Sequence, residues 1–322
     1  MLSFSALNRT AVLLSAILLM ATVWGIGRIP EANLLMIVFS CLVSAQLADV
    51  RSFSSRLRTT ALLACYSAAA QFIFSFSGEL PFLQTIICTA FAYFTFSTLP
   101  DCRAGCIVLL TGYLGTSASP EFLPAVSRSI DIFAGIPVIM AVTTIGNAGE
   151  KKENPVSIAP CSPYHALILS AELGIGTAIA KITEMDQGTW IMMTILFINM
   201  SITSDSSGEK LAWQRIFAVP AGIITGGFLL STFYRIDYRF IWLLPFIGAS
   251  GFFILYNYGN FFLFSIIFMI SLTFFADWLA GTCHKFNLWE NFFSRTTATW
   301  IGAAIELAAG YSGKYEKGKP LR

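Results

Sequence analysis

Residues 187–204 and 216–234 contain no charged side chain, and only a short polar loop from Thr203 to Lys210 lies within the break between them. An α-helix rises about 1.5 Å per residue, so each stretch is about long enough to cross a hydrocarbon layer roughly 30 Å thick. The loop is too short to fold by itself. The unit therefore reads as a membrane hairpin, and much of the chain repeats the pattern. Runs free of charge, or nearly so, occupy 10–27, 32–48, 59–78, 80–100, 104–120 and 129–149, before a polar connector from Glu150 to Pro163. After it come 164–182, 187–204, 216–234, 240–256, 259–277 and 296–313. Residues 240–276 are uncharged throughout and too long for one span, and the turn-rich Tyr256-Asn257-Tyr258-Gly259-Asn260 divides them. The expectation is an all-α membrane protein of about twelve transmembrane helices, arranged as two six-helix halves. These are 1–150 and 164–322, joined by a linker at 151–163, with the run at 10–27 retained as the first span.

Composition supports this and removes most other classes. Of 322 residues, 56% are hydrophobic and 12% charged, whereas soluble domains carry about 25% charged residues. No segment is polar enough to form a separate soluble domain. A net charge of +2 without a basic, aromatic-interleaved stripe indicates no nucleic acid. The seven cysteines fall mostly in apolar runs, where a thiol packs as a small hydrophobe. Cys102 and Cys106 share a helical face, but no His or further Cys completes a ligand set, so packing is expected and not a metal. His165 and His284 stand at span or loop edges. No Gly-x-Ser-x-Gly, His-Glu-x-x-His or phosphate loop is present, so neither a catalytic residue nor a cofactor is indicated and an enzyme is not expected. Lysines and arginines in the loops, Arg51, Arg56, Arg58, Lys151 and Lys152 against Arg28, Arg235 and Arg239 among them, place both termini in the cytoplasm.

Arg-x6-Gly recurs at Arg128/Gly135, Arg215/Gly222 and Arg295/Gly302. The spacing is two helical turns, so cation and glycine share a face: the Arg sits near the interface and the Gly lets another helix approach. Laying the second half on the first brings Arg215 onto Arg58 and Arg295 onto Arg128. With six spans in each half the two repeats run parallel, and a substrate is expected between them.

A six-span unit with a Trp-containing second span, a polar loop and an Arg-led, glycine-rich third span resembles the fusaric acid resistance (FUSC-like) or aromatic acid exporter family. The carrying residues are Gly188-Thr189-Trp190, Trp213-Gln214-Arg215, Gly222, Gly226-Gly227, and Arg295 with Gly302. The likeness is clearest over 164–313. It is weaker over 1–150, where Asn33 stands in place of the Trp and Cys65 in place of the glycine after Arg58. The resemblance implies a compact member without large cytoplasmic domains, exporting small organic, typically aromatic, anions across a bacterial inner membrane. For many members it also implies work alongside a periplasmic membrane fusion (adaptor) protein, and a homo-oligomer is compatible with it.

A charge at bilayer depth costs at least a few kcal/mol, so each needs a reason. Glu172 lies midway along 164–182 and Glu306 in the middle of 296–313. Both are candidates for a proton-coupling site, against the plainer reading of a structural hydrogen bond or ion pair. Asp131 is a third candidate, although it stands one turn after Arg128 and could simply pair with it. Arg215, Arg128, Arg295 and Arg58 could fork onto an organic carboxylate, whereas span-end arginines more often snorkel to head groups. Asn199 and Trp190 complete the expected substrate-facing set, their alternatives being helix adhesion and an interfacial belt. The expected function is proton-driven export of organic anions by a secondary transporter. The rivals are a passive anion channel and a non-transporting scaffold for the adaptor.

Overall fold

The computed structural model describes residues 10–12, 14, 34–47, 52–77, 81–99, 101–114, 122–146, 161–185, 187–201, 207–233, 244–279 and 288–314. Most of the expected first span, most of the linker and most of the loop charges lie outside them. Every regular element among the described residues is an α-helix. In chain order these are α1 (Leu34–Leu47), α2 (Phe53–Phe76), α3 (Pro81–Thr98), α4 (Cys102–Leu114), α5 (Phe122–Phe133) and α6 (Gly135–Gly146). They continue with α7 (Pro163–Ile182), α8 (Thr189–Ser201), α9 (Gly208–Phe233), α10 (Leu244–Tyr258), α11 (Phe261–Leu279) and α12 (Leu288–Lys314). Three helical stretches, Phe122–Ile145, Pro163–Ile182 and Gly208–Thr232, are long and apolar enough to cross a membrane.

Local chemistry explains where helices break and where they do not. The turn-rich pentad separates α10 from α11 as expected. Gly259 takes φ 61°, its N–H donates to the Leu255 carbonyl at 3.0 Å, and Asn260 Oδ1 accepts from the Leu263 N–H at 3.0 Å. Together these close one helix and cap the next. The run at 129–149, expected as one span, is broken at Ala134, whose N–H reaches back to the Asp131 carbonyl. Pro137 is the reason: its ring would clash with the carbonyl four residues earlier, so the helix restarts at Gly135 with Pro137 in its first turn. The break also separates Arg128 from Gly135. Pro220 sits inside α9 without breaking it. Its missing N–H frees the Ile216 carbonyl, and the indole Nε1 of Trp300 on α12 donates to that oxygen at 3.1 Å.

The helices pair in a repeating way. Helix α2 packs on α4 and on α5–α6, while α1 packs on α6. Correspondingly, α9 packs on α11 and α12, and α8 packs on α12. The two groups meet where α3 lies against α7 and α4 against α8. Gly174 on α7 makes the first contact close, since a Cβ there would collide with Thr89 Oγ1. The Tyr113 hydroxyl of α4 also reaches α7, 3.2 Å from Thr177 Oγ1. Buried Phe74, Tyr113, Leu109, Leu173, Ile195 and Phe264 form part of one continuous apolar core. The outer faces are apolar too: Phe82, Leu123, Ile145 and Ile182 are at least three-quarters exposed. Large side chains are left in that state where lipid, not water, covers them.

Candidate functional site

Helix α8 is the axis of the site. Residues Trp190 to Asn199 are buried along its whole length, so every face of it touches protein. Trp190 and Phe197 are two turns apart on one side, and each carries an arginine. The Arg295 guanidinium of α12 lies over the Trp190 ring at 5.2 Å from its centroid. The Arg215 guanidinium of α9 lies over Phe197 at 4.9 Å, with the Phe261 ring at 6.0 Å. Neither cation snorkels. Arg215 has 0% of its surface exposed and Arg295 7%.

The three nitrogens of Arg215, and Nε and Nη1 of Arg295, have no hydrogen-bond partner among the described residues. Aromatic faces attract a desolvated guanidinium by about 2 kcal/mol. That offsets only part of the several kcal/mol needed to take the ion out of water. The donors of Arg215 remain available to a planar, two-oxygen acceptor.

The acidic residues assemble on another side of α8. Arg295, Gly302 and Glu306 share one face of α12, two and three turns apart. A methyl group at Gly302 would lie 2.6 Å from the Ile191 carbonyl oxygen and 3.0 Å from Thr194 Cβ. The glycine thus lets α12 settle directly on the α8 backbone. This close approach brings Glu306 to Asn199, whose Nδ2 donates to Glu306 Oε2 at 2.8 Å and to its own helix at the Ile195 carbonyl, 3.0 Å away. Glu172 of α7 completes the group. Its carboxyl lies beside that of Glu306, within hydrogen-bonding reach. Both carboxyls are buried, and Oε2 of Glu172 has no partner among the described residues. Gly222 plays the Gly302 part for α9, where a Cβ would meet the Ile266 carbonyl of α11 at 2.8 Å.

The other expected residues stand apart. Arg58 is exposed on α2. Arg128 is buried on α5, and Asp131 half-buried on the same helix at its break, and α5 packs on α2 and α1 rather than on α7, α8 or α12. Trp190, a member of the expected substrate-facing set, does not take the alternative position in an interfacial belt. It is buried instead, with Nε1 donating to Gln187 Oε1 at 3.0 Å. Trp213 and Trp300 are about half exposed.

The sequence reading that no His or further Cys joins Cys102 needs correction. Cys161 and His165 fold against it, because α3 and α7 run antiparallel. From Thr89 opposite Gly174, equal steps toward the end of α3 and back toward the start of α7 arrive at neighbouring turns.

Buried charge inside an all-helical, apolar-surfaced bundle defines a membrane protein rather than a soluble one. Residues 175–309 match the family model described as fusaric acid resistance protein-like, so this part of the chain is similar to that family. The family is one of membrane transport proteins and not of enzymes. Trp190, Asn199, Arg215, Arg295 and Glu306 lie inside the match, and Glu172 just before it. No curated protein and no solved structure matches the chain.

Proposed function

We propose that this chain is a secondary transporter that exports small organic anions, aromatic carboxylates foremost, in exchange for protons. The observation that carries the reading is Arg215: a wholly buried guanidinium, flanked by two aromatic rings, with its hydrogen-bonding capacity unspent. A carboxylate would spend it, and an aromatic ring on that carboxylate would pack against Phe197 and Phe261. Arg295 over Trp190 offers a second station about two helical turns along α8, roughly 10 Å away. Arg128 and Arg58 contribute only positive potential at a distance in this scheme. Two carboxyls touching away from water cannot both stay ionised, so Glu172 and Glu306 together hold a proton that can be given up and regained as access alternates. Asn199 orients the pair, and Asp131 has no direct part.

The surrounding architecture in this reading is twelve spans in two parallel six-helix halves, 1–150 and 164–322, about the linker 151–163. The recurring pairing of α2 with α4–α6 and of α9 with α11–α12 supports it. Location in a bacterial inner membrane, both termini cytoplasmic, and a periplasmic adaptor as partner belong to the same proposal.

Binding tests it. Detergent-purified protein titrated with a benzoate-type carboxylate should bind it, and Arg215→Gln should weaken binding at least about tenfold, the loss of about 1.4 kcal/mol. Equal binding by the two proteins removes Arg215 from the site.

A further inference from the structure

Away from α8, three metal-ligand side chains converge at the start of α4 and α7. The Sγ atoms of Cys102 and Cys161 and a ring nitrogen of His165 all lie within 4.8 Å of one another, each residue half-buried. Two helix caps build the arrangement. Asp101 Oδ1 accepts from the Arg103 N–H at 3.0 Å, which fixes Cys102 at the first position of α4. The other oxygen, Oδ2, is held by Gln46 Nε2 of α1 at 2.9 Å. Ser162 caps α7: its Oγ accepts from the His165 N–H at 3.2 Å, and Pro163 follows in the first turn. Capping places Cys161 just before the helix and His165 one turn into it, so the two side chains reach the same side.

We infer that Cys102, Cys161 and His165 bind a soft divalent cation of the zinc class. Two thiolates and an imidazole are a donor set that selects zinc over magnesium or calcium. Zinc bonds of about 2.3 Å to sulfur and 2.0–2.1 Å to nitrogen set tetrahedral ligands roughly 3.5–3.8 Å apart. The three donors, none farther than 4.8 Å from another, reach that spacing by closing about 1 Å. Each thiol gives its proton to solvent as the metal–sulfur bond forms. The two helix N-termini favour the resulting thiolates. Water takes the fourth position, with Cys106, one turn along α4 on the Cys102 face, as the alternative ligand. The cation would lock the start of α7 to the start of α4, on either side of the connector at 151–163.

The full chain, purified in detergent under reductant and loaded with Co2+ in place of zinc, tests this. One cobalt per chain with a thiolate-to-cobalt charge-transfer band is expected. Cys161→Ser and His165→Ala should each weaken binding at least about tenfold, while Cys65→Ser, on the exposed face of α2, should bind as the wild type. Melting the same samples separates binding from misfolding. Zinc should raise the Tm of the wild type and of Cys65→Ser but not of the ligand variants, whose metal-free Tm should match the wild type's. Absence of the band in the wild type, an unchanged band in Cys161→Ser, or a Cys102–Cys161 disulfide that survives reductant with no metal bound would each overturn the assignment.

Discussion

Replacing Gly302 by Ala is the substitution whose consequence can be worked through most fully. The new methyl would meet the Ile191 carbonyl oxygen at 2.6 Å and Thr194 Cβ at 3.0 Å. Comfortable contact begins near 3.4–3.5 Å. The obstructing atom is backbone of α8 and cannot rotate away, so α12 has to retreat by about 0.8 Å. Gly310, two turns further along α12, has nothing within 4 Å of such a methyl and serves as the control. Alanine gains about 1 kcal/mol over glycine in a helix interior. Gly310→Ala should therefore be neutral or stabilising by up to that amount. Gly302→Ala adds overpacking of about 1–3 kcal/mol and should be net destabilising by roughly 0–2 kcal/mol. The same retreat would lengthen the Asn199–Glu306 hydrogen bond from 2.8 Å to roughly 3.6 Å, beyond the bonding range. Thermal unfolding in detergent, alongside transport in proteoliposomes, measures both effects. If Gly302→Ala melts with or above Gly310→Ala and transports normally, the close α8–α12 contact is not what positions Glu306.

Arg215→Met, which removes an uncompensated buried cation and keeps the bulk, should stabilise the protein by about 1–4 kcal/mol while abolishing anion binding; a destabilised variant would mean the guanidinium already has a partner. Arg215→Lys should restore little, because an ammonium lacks the two-pronged geometry, and full transport by it would count against carboxylate forking. Trp300→Phe removes the donor to the Ile216 carbonyl that Pro220 leaves free and should cost about 0.5–1.5 kcal/mol. In a Pro220→Ala background the backbone supplies that donor, so the same change should cost less; equal costs in both backgrounds would refute the coupling.

The sequence made the helices legible because charge-free runs of membrane length leave few alternatives. The Tyr256–Asn260 division and the close contacts of Gly222 and Gly302 followed from turn and helical spacing alone. Arg215 and Arg295 were recognised as candidates but expected near head groups. Nothing local says that Phe197 and Trp190, on a different helix, roof them over. The Glu172–Glu306–Asn199 group joins three helices and depends on how far α12 sinks onto α8, which spacing within one helix cannot reveal. Cys102 was assessed with its neighbour Cys106, whereas its companions Cys161 and His165 are brought in by the antiparallel packing of α3 on α7. The interruption at Ala134 was legible in principle, since Pro137 within an apolar run signals it.

The central claim, an anion carrier that exchanges protons through a shared carboxyl pair, is tested most directly in proteoliposomes. The measurement is accumulation of a labelled aromatic carboxylate under an imposed pH gradient, for the wild type and Glu172→Gln. The wild type should accumulate the anion against its gradient, and Glu172→Gln should lose that uphill movement while still exchanging labelled for unlabelled anion. Ohmic anion current from the wild type, or undiminished uphill accumulation by Glu172→Gln, would contradict the account.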